Sequence, residues 1–241
     1  MHDTIDQLLK TESRLELWRE FIKSMGCRSV VEVGVWKGAF SEEVLRECGS
    51  IESYHMIDPW ATLPDWNKPY NVDSKQFDDI YSEAMQATEF AAEKRIVHRG
   101  KTSDVASEIE DGSIDYAYVD GDHTLRGITI DLTLILPKVR PGGYLTGDDF
   151  TNTAWQHDAR YEPTLVCPYA VYFAEAHGLP IVALPHSQFL IHNTPEAGFS
   201  FTDKTGDYSD VSIAALLKKQ SKNGSLQGSL VQAAKKMIKG G

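Results

Sequence analysis

The chain has 241 residues, 41% of them hydrophobic and 24% charged, with a net charge of −11. That length fits one large domain with a sizeable core, and the acidic balance argues against duplex nucleic acid as a partner. No run approaches the ~18 consecutive apolar residues of a membrane helix, and the first twenty residues mix acids, bases and polar groups, unlike a secretory leader. The three cysteines, Cys27, Cys48 and Cys167, are too few and too scattered for a disulfide framework or a cysteine zinc site. A cytoplasmic protein with no membrane partner is therefore expected.

In chain order, Thr4 to Ser24 carries apolar residues at near-helical spacing, from Ile5 to Ile22. Ser29 to Val33 is a β-branched strand ending at Gly34. Phe40 to Cys48 reads as helix, and Tyr54 to Ile57 as a second strand closed by Asp58-Pro59. Trp60 to Ser74 is a loop long enough to act as a lid. Lys75 to Ala92 reads as helix, Arg95 to His98 and Ile114 to Val119 as strands, and Leu125 to Val139 as an amphipathic helix. After the Pro141-Gly142-Gly143 turn, Tyr144 to Thr146 begins a fifth strand. Tyr169 to His177 is helical, and Pro180 to Leu184 and Gln188 to His192 are strands. Only three residues join these last two, so they form a hairpin, because a parallel crossover needs a dozen or more. Alternating strands and helices predict an α/β fold: a seven-stranded, mostly parallel sheet with a C-terminal antiparallel hairpin and helices on both faces. Three regions are expected: an N-terminal helical cap (1–28), the α/β domain (29–195) and a C-terminal extension (196–241). From Ala214 onward there are six lysines and no acid, so the tail carries +6 and residues 1–213 carry −17. A solvated helix is the expected form of this tail, with docking on an anionic surface the lesser reading.

Ligands of open α/β sheets bind beyond the carboxyl ends of the strands. The residues that follow the five strands are Glu32 to Gly38, Asp58, Gly100 to Ser103, Asp120 to His123, and Asp148-Asp149. Gly34 and Gly38 at a strand-to-helix turn let a ligand approach the backbone. Asp58, 24 residues beyond Gly34, can hold both ribose hydroxyls, or can form an Asx turn before Pro59. Glu32, Gly34, Gly38 and Asp58 together imply an adenosine-containing ligand. Trp60 could pack on its adenine, with Thr102 and Ser103 bonding to the adenine edge; ordinary packing explains each equally well. Trp36, Trp66, Tyr70 and Trp155 are further candidates for the pocket wall, and His157 and Arg160 for substrate contact. If the fourth and fifth strands are neighbours, Asp120 and Asp148 face each other ~5 Å apart, with Asp149 next. Uncompensated carboxylates at that distance repel, and a divalent cation with all-oxygen ligands would remove the conflict.

The segment Val30 to Gly38 resembles the first motif of class I S-adenosylmethionine (SAM)-dependent methyltransferases. Tyr118 to His123, Leu136 to Tyr144 and Gly147 to Asp149 resemble the O-methyltransferases that modify sugars and natural products. The resemblance covers roughly Ser29 to Asn193 and implies a Rossmann-like fold, SAM as cofactor and Mg2+ (or Mn2+) held by Asp120, Asp148 and Asp149, with Asp120 also beside the cofactor. In that family the base stands two or three places after the first aspartate. Asp122 and His123 fill both places. His123 has the pKa for the task, while Asp122 could instead be the N-cap of the helix that follows. The implied reaction is methyl transfer to a hydroxyl of a sugar or other small hydroxylated metabolite. Two rivals are metal-independent transfer to a cationic or amine acceptor and a non-catalytic adenosine-ligand-binding protein. A nicotinamide enzyme fits neither the glycine spacing nor the hairpin. Packing of the N-terminal helix on a second copy, as a homo-oligomer, remains open.

Overall fold

A computed structural model of the chain describes residues 2–154 and 158–219. Trp155, His157 and most of the basic tail lie outside them. The elements run α1 (His2–Leu8), α2 (Arg14–Met25), β1 (Ser29–Val33), α3 (Ala39–Glu47), β2 (Ser53–Asp58), α4 (Ser74–Ala87) and β3 (Arg95–Arg99). They continue with α5 (Thr102–Val105), β4 (Ile114–Val119), α6 (Leu125–Ile135), β5 (Val139–Gly147), α7 (Val166–His177), β6 (Pro180–Leu184), β7 (Gln188–His192) and β8 (Ser200–Asp203).

One sheet holds all eight strands in the order β3-β2-β1-β4-β5-β7-β6-β8. Strands β1 to β5 pair in parallel, and β7 runs antiparallel to both β5 and β6. The expected hairpin is therefore present. Its turn uses two consecutive left-handed residues, His186 (φ 62°) and Ser187 (φ 58°), the conformation that matches strand twist in a tight hairpin. The sheet has eight strands rather than the expected seven. Edge strand β8 lies parallel to β6 and alternates exposed with half-buried positions. Four such residues after Pro195 and Gly198 read as loop in sequence.

Each strand feeds two layers because alternate side chains point to opposite faces. Val30, Tyr54, Met56, Tyr116 and Tyr118 pack with α2, α3 and α4; Val31, Val33, Ala117, Val119 and Leu145 pack with α6 and α7. The single N-terminal helix expected from periodicity is two helices. Ser13 breaks it: its backbone is extended and its hydroxyl accepts the Glu16 N–H, an N-cap for α2. Both helices share the main core, through Ile5, Leu8, Leu17, Trp18, Phe21 and Ile22. Residues 1–208 form one compact unit and 209–241 a second, which includes helical turns at 213–219. Among the described residues, no helix is long and apolar enough to cross a membrane.

Trp18 carries α2 into the core. It is fully buried, packs edge-on against Phe21 and Tyr118, and donates its indole N–H to Gln188 at 2.6 Å. Trp18→Ala is expected to cost about 3–5 kcal/mol, read as a lowered urea midpoint. An unchanged midpoint would make the N-terminal helices an appendage.

Candidate active site

The strand order reverses between β1 and β4, and the two strands end in contact there. Gly34 has φ 87°, and its N–H donates to Ile57 O. A Cβ on Gly34 would lie 2.0 Å from the Asp120 carbonyl oxygen, so no other residue fits. Asp120 N–H in turn donates to Val33 O at 2.7 Å. This close approach brings the glycine turn and the end of β4 together at one cavity of 720 Å³.

Asp58 organises the cofactor end. Its two carboxylate oxygens accept the N–H groups of Trp36 (2.9 Å) and Trp60 (2.7 Å). Both tryptophans are left-handed, at φ 55° and 40°, a strained state that costs of order 1–3 kcal/mol each. The Val35 N–H also reaches this carboxylate, which still has acceptor capacity left, and Asp58 lines the cavity. Burial pushes its carboxyl up to about 6, against the pull of those N–H groups. Gly34, Thr102 and Ser103 line the same cavity.

Glu32, Gly38 and Trp60 do not line it. Glu32 is buried behind the wall, accepting hydrogen bonds from Ser41 and Tyr54. Burial raises its carboxyl to about 8, so it joins β1 to α3 and β2 as a neutral acid. Gly38 (φ 81°) caps α3 against Ala84. Trp60 is turned into the core, where its indole donates to Trp36 O and its ring meets Tyr81 edge-on. These residues shape the turns, and the Trp60 ring, expected at the adenine, lies in the core against Tyr81 of α4 and not on the cavity wall.

At the acceptor end Asp120, Asp122, His123, Asp148 and Asp149 converge as expected. They are not uncompensated. Nη1 of Arg14, the first residue of α2, donates to Asp120 Oδ2 at 2.6 Å, to Asp148 Oδ2, and to the Tyr118 hydroxyl at 3.2 Å. The other oxygen of Asp148 accepts from Gln188 and from Asp149 N–H. Asp149, left-handed at φ 57°, is turned onto His123 Nδ1. His123 Nε2 is buried 3.3 Å from Asp120 Oδ1 but is not aligned for a hydrogen bond. Burial opposes charge on the ring, yet the Asp120 and Asp149 carboxylates outweigh it and raise His123 to about 10. Asp120 acts here through proximity. Asp122 is not the helix cap. That role belongs to Thr124, whose hydroxyl accepts the Gly127 N–H. Asp122 Oδ1 accepts from Thr124 N–H and from the Trp66 indole, both at 3.0 Å.

Trp66 belongs to the long loop after β2, which closes the acceptor end. Lys68 Nζ donates to Glu162 O at 2.7 Å, Asn67 pairs with the backbone of residues 160–162, and Arg126 donates to Asp65 O. Trp36, Trp66 and Tyr70 line the cavity as expected, whereas Arg160 does not. Among the lining residues that sequence reasoning missed are Arg14, Lys68 and Asp131. Asp131 is a buried acid on the inward face of α6, raised to about 7 by burial against a hydrogen bond with Thr102. An acid on an apolar helical stripe is a legible signal. Arg14 and Lys68 carried none, because their partners lie about a hundred residues away in sequence.

The donors also bear on a divalent ion. Among the described residues, no three His, Cys, Asp or Glu side chains are arranged to hold a metal. Asp120 and Asp148, however, already converge on one cationic nitrogen. Two carboxylates completed by water and substrate oxygens suit Mg2+. The residues thus fit an ion on Asp120 and Asp148, while Asp149 is engaged by His123.

A family model described as "Methyltransferase domain" matches residues 31–150. An O-methyltransferase from Bacillus cereus, in complex with SAH, superposes with a TM-score of 0.53 over 78% of this chain and 89% of its own, at 15% identity. An O-methyltransferase of tomaymycin synthesis from Streptomyces achromogenes, in complex with SAM, gives 0.52 over 75% and 79%, also at 15%. An SAH-bound methyltransferase from Podospora anserina gives 0.52 over 74% and 79%, at 12%. At these identities the likeness is one of fold. No curated protein matches the sequence. The matched domain runs from within β1 to just past Asp149 and so spans the glycine turn, Asp58 and the acidic rim; the chain belongs to the class I SAM-dependent methyltransferases.

Proposed function

We propose that the chain transfers a methyl group from SAM to a hydroxyl of a small hydroxylated acceptor, such as a sugar, with Mg2+ or Mn2+ held by Asp120 and Asp148. One observation carries this reading: the Gly34–Asp58 end and the acidic rim open into the same 720 Å³ cavity. That volume is in the range of small-molecule sites. It suits the cofactor with a small acceptor, and the O-methyltransferase neighbours support oxygen as the target atom. Polar groups of both signs, Lys68, Arg126 and Asp122, line the acceptor end beside Trp66, which suits a polyhydroxylated molecule. Three buried free cysteines suit a reducing, cytoplasmic setting.

A hydroxyl must lose its proton as it attacks the sulfonium methyl. A divalent ion at the rim would supply positive charge that makes a nearby hydroxyl more acidic. The chain's own residues do the rest. Asp122 stands within the cavity to receive the proton, and His123, which Asp120 and Asp149 hold protonated, can do so only after giving up its own proton; the loop pinned by Trp66 and Lys68 excludes water. Holding oxygen and methyl in line is the larger contribution to rate. A second reading, transfer without metal, is favoured by one observation: Arg14 and His123 already neutralise part of the rim.

Three measurements test this. Asp148→Ala should abolish metal-dependent turnover with hydroxylated acceptors while SAH affinity stays within about threefold; unchanged turnover defeats the metal role, and activity in excess chelator selects the second reading. In single-turnover assays His123→Asn should slow methyl transfer roughly 10²–10⁴-fold if it is the base; a negligible loss there with a large loss in Asp122→Asn moves the role to Asp122. SAH binding should weaken as pH falls through about 6, where Asp58 gains its proton and loses its pull on the ribose hydroxyls. Asp58→Asn should bind weakly at every pH, and the same pH dependence in that variant would exclude Asp58 as the cause.

A further inference from the structure

We propose that Arg14 is a built-in competitor for the cation position at the acidic rim, so that a divalent ion and the first residue of α2 exclude each other there. The inference rests on the rim being the acceptor site of the reaction above. A single atom, Nη1, serves both Asp120 Oδ2 and Asp148 Oδ2. An ion on these carboxylates would need the same oxygens at about 2.0–2.1 Å for Mg2+, and it would meet a guanidinium already holding them. The carboxylates cannot offer their other oxygens instead. Asp148 Oδ1 is held by Gln188 and by the Asp149 N–H, and Asp120 Oδ1 faces the buried His123 Nε2 at 3.3 Å. One cation position therefore exists, and Arg14 occupies it.

Exchange needs only a side-chain motion. The Arg14 side chain is 40% exposed and can swing into solvent. Its backbone stays fixed by the Ser13 cap on one side and by Trp18, one turn later, on the other. Arg14 and Trp18 are four residues apart and so share a helix face. The residue that anchors the helix also aims the guanidinium. With Arg14 in place, Asp120 and Asp148 are bridged and leave no vacancy for an ion between them. With Arg14 withdrawn, Asp120 and Asp148 present two converging oxygens.

The test is Mn2+ titration of the full chain by electron paramagnetic resonance, with SAH affinity measured on the same samples. Arg14→Met, which keeps the aliphatic stem, should bind one Mn2+ at least about tenfold more tightly than the unaltered chain. Adding Asp148→Asn to that variant should remove the gain. A dissociation constant within threefold of the unaltered chain, or no Mn2+ binding by either protein, overturns the exclusion. SAH affinity that stays normal in those samples confines the failure to this inference. Loss of SAH binding by the unaltered chain as well would instead defeat the methyl-transfer reading. A urea midpoint for Arg14→Met close to that of the unaltered chain keeps the comparison one of folded proteins.

Discussion

Asp120, Asp122, Asp148 and Asp149 are carried to one corner by the ends of β4 and β5, and every other feature of the acceptor end answers the repulsion among them. Like charges ~4 Å apart oppose each other by about 4 kcal/mol at an effective dielectric of ~20. Arg14 bridges two of these carboxylates, His123 takes a third, and the Trp66 indole and a backbone N–H take an oxygen of the fourth. Each compensating group comes from a different part of the fold: the N-terminal helix, the turn after β4 and the loop after β2. The cost of gathering negative charge is met in part by drawing two distant segments, α2 and the loop after β2, onto the carboxyl ends of β4 and β5. The same contacts close the cavity.

The cofactor end is supported differently. Its geometry comes from backbone approach and backbone strain, not from balanced charges. Gly34 permits the contact with the Asp120 carbonyl, and Asp58 ties down two left-handed tryptophans with one carboxylate. Residues behind the wall complete this frame. Neutral Glu32 joins three elements without facing the ligand, which explains how an acid can sit in a binding motif and still be structural.

Most of the architecture was legible in the sequence because it depends on local pattern. Short apolar and β-branched runs marked seven strands, and the three-residue link between β6 and β7 could only be a hairpin. The misses share one cause: an interaction remote in sequence outweighed the local signal. Ser13 broke a helix whose apolar periodicity runs on past it, and β8 formed from a segment with little apolar content because β6 offered an unpaired edge. In the site, the convergence of Asp120, Asp122, His123, Asp148 and Asp149 followed from strand order alone. Arg14 could not have been found that way. It precedes its partners Asp120 and Asp148 by 106 and 134 residues, and nothing nearby distinguishes it from any arginine that opens a helix. The premise of uncompensated carboxylates fell at the same point, since it counted the anions and had no means of counting the cations.

The two ends of the cavity therefore answer to separate parts of the chain. Gly34 and Asp58 take their positions from the ends of β1 and β2, whereas Asp120 and Asp148 meet a side chain of α2. Asp120 belongs to both ends: its backbone abuts the glycine turn and its side chain meets Arg14. A displacement of Arg14 thus changes charge at the acceptor end first, and Asp120 links that change to the cofactor end. Because Trp18 also holds Gln188, which holds Asp148, the packing of α2 and the orientation of the rim carboxylate are one mechanical unit. Substitutions along that face of α2 would tune the charge met by an acceptor hydroxyl while the adenosine cradle keeps its shape. That separation lets a fold shared by many methyltransferases keep its cofactor frame while the acceptor chemistry is set from outside the sheet.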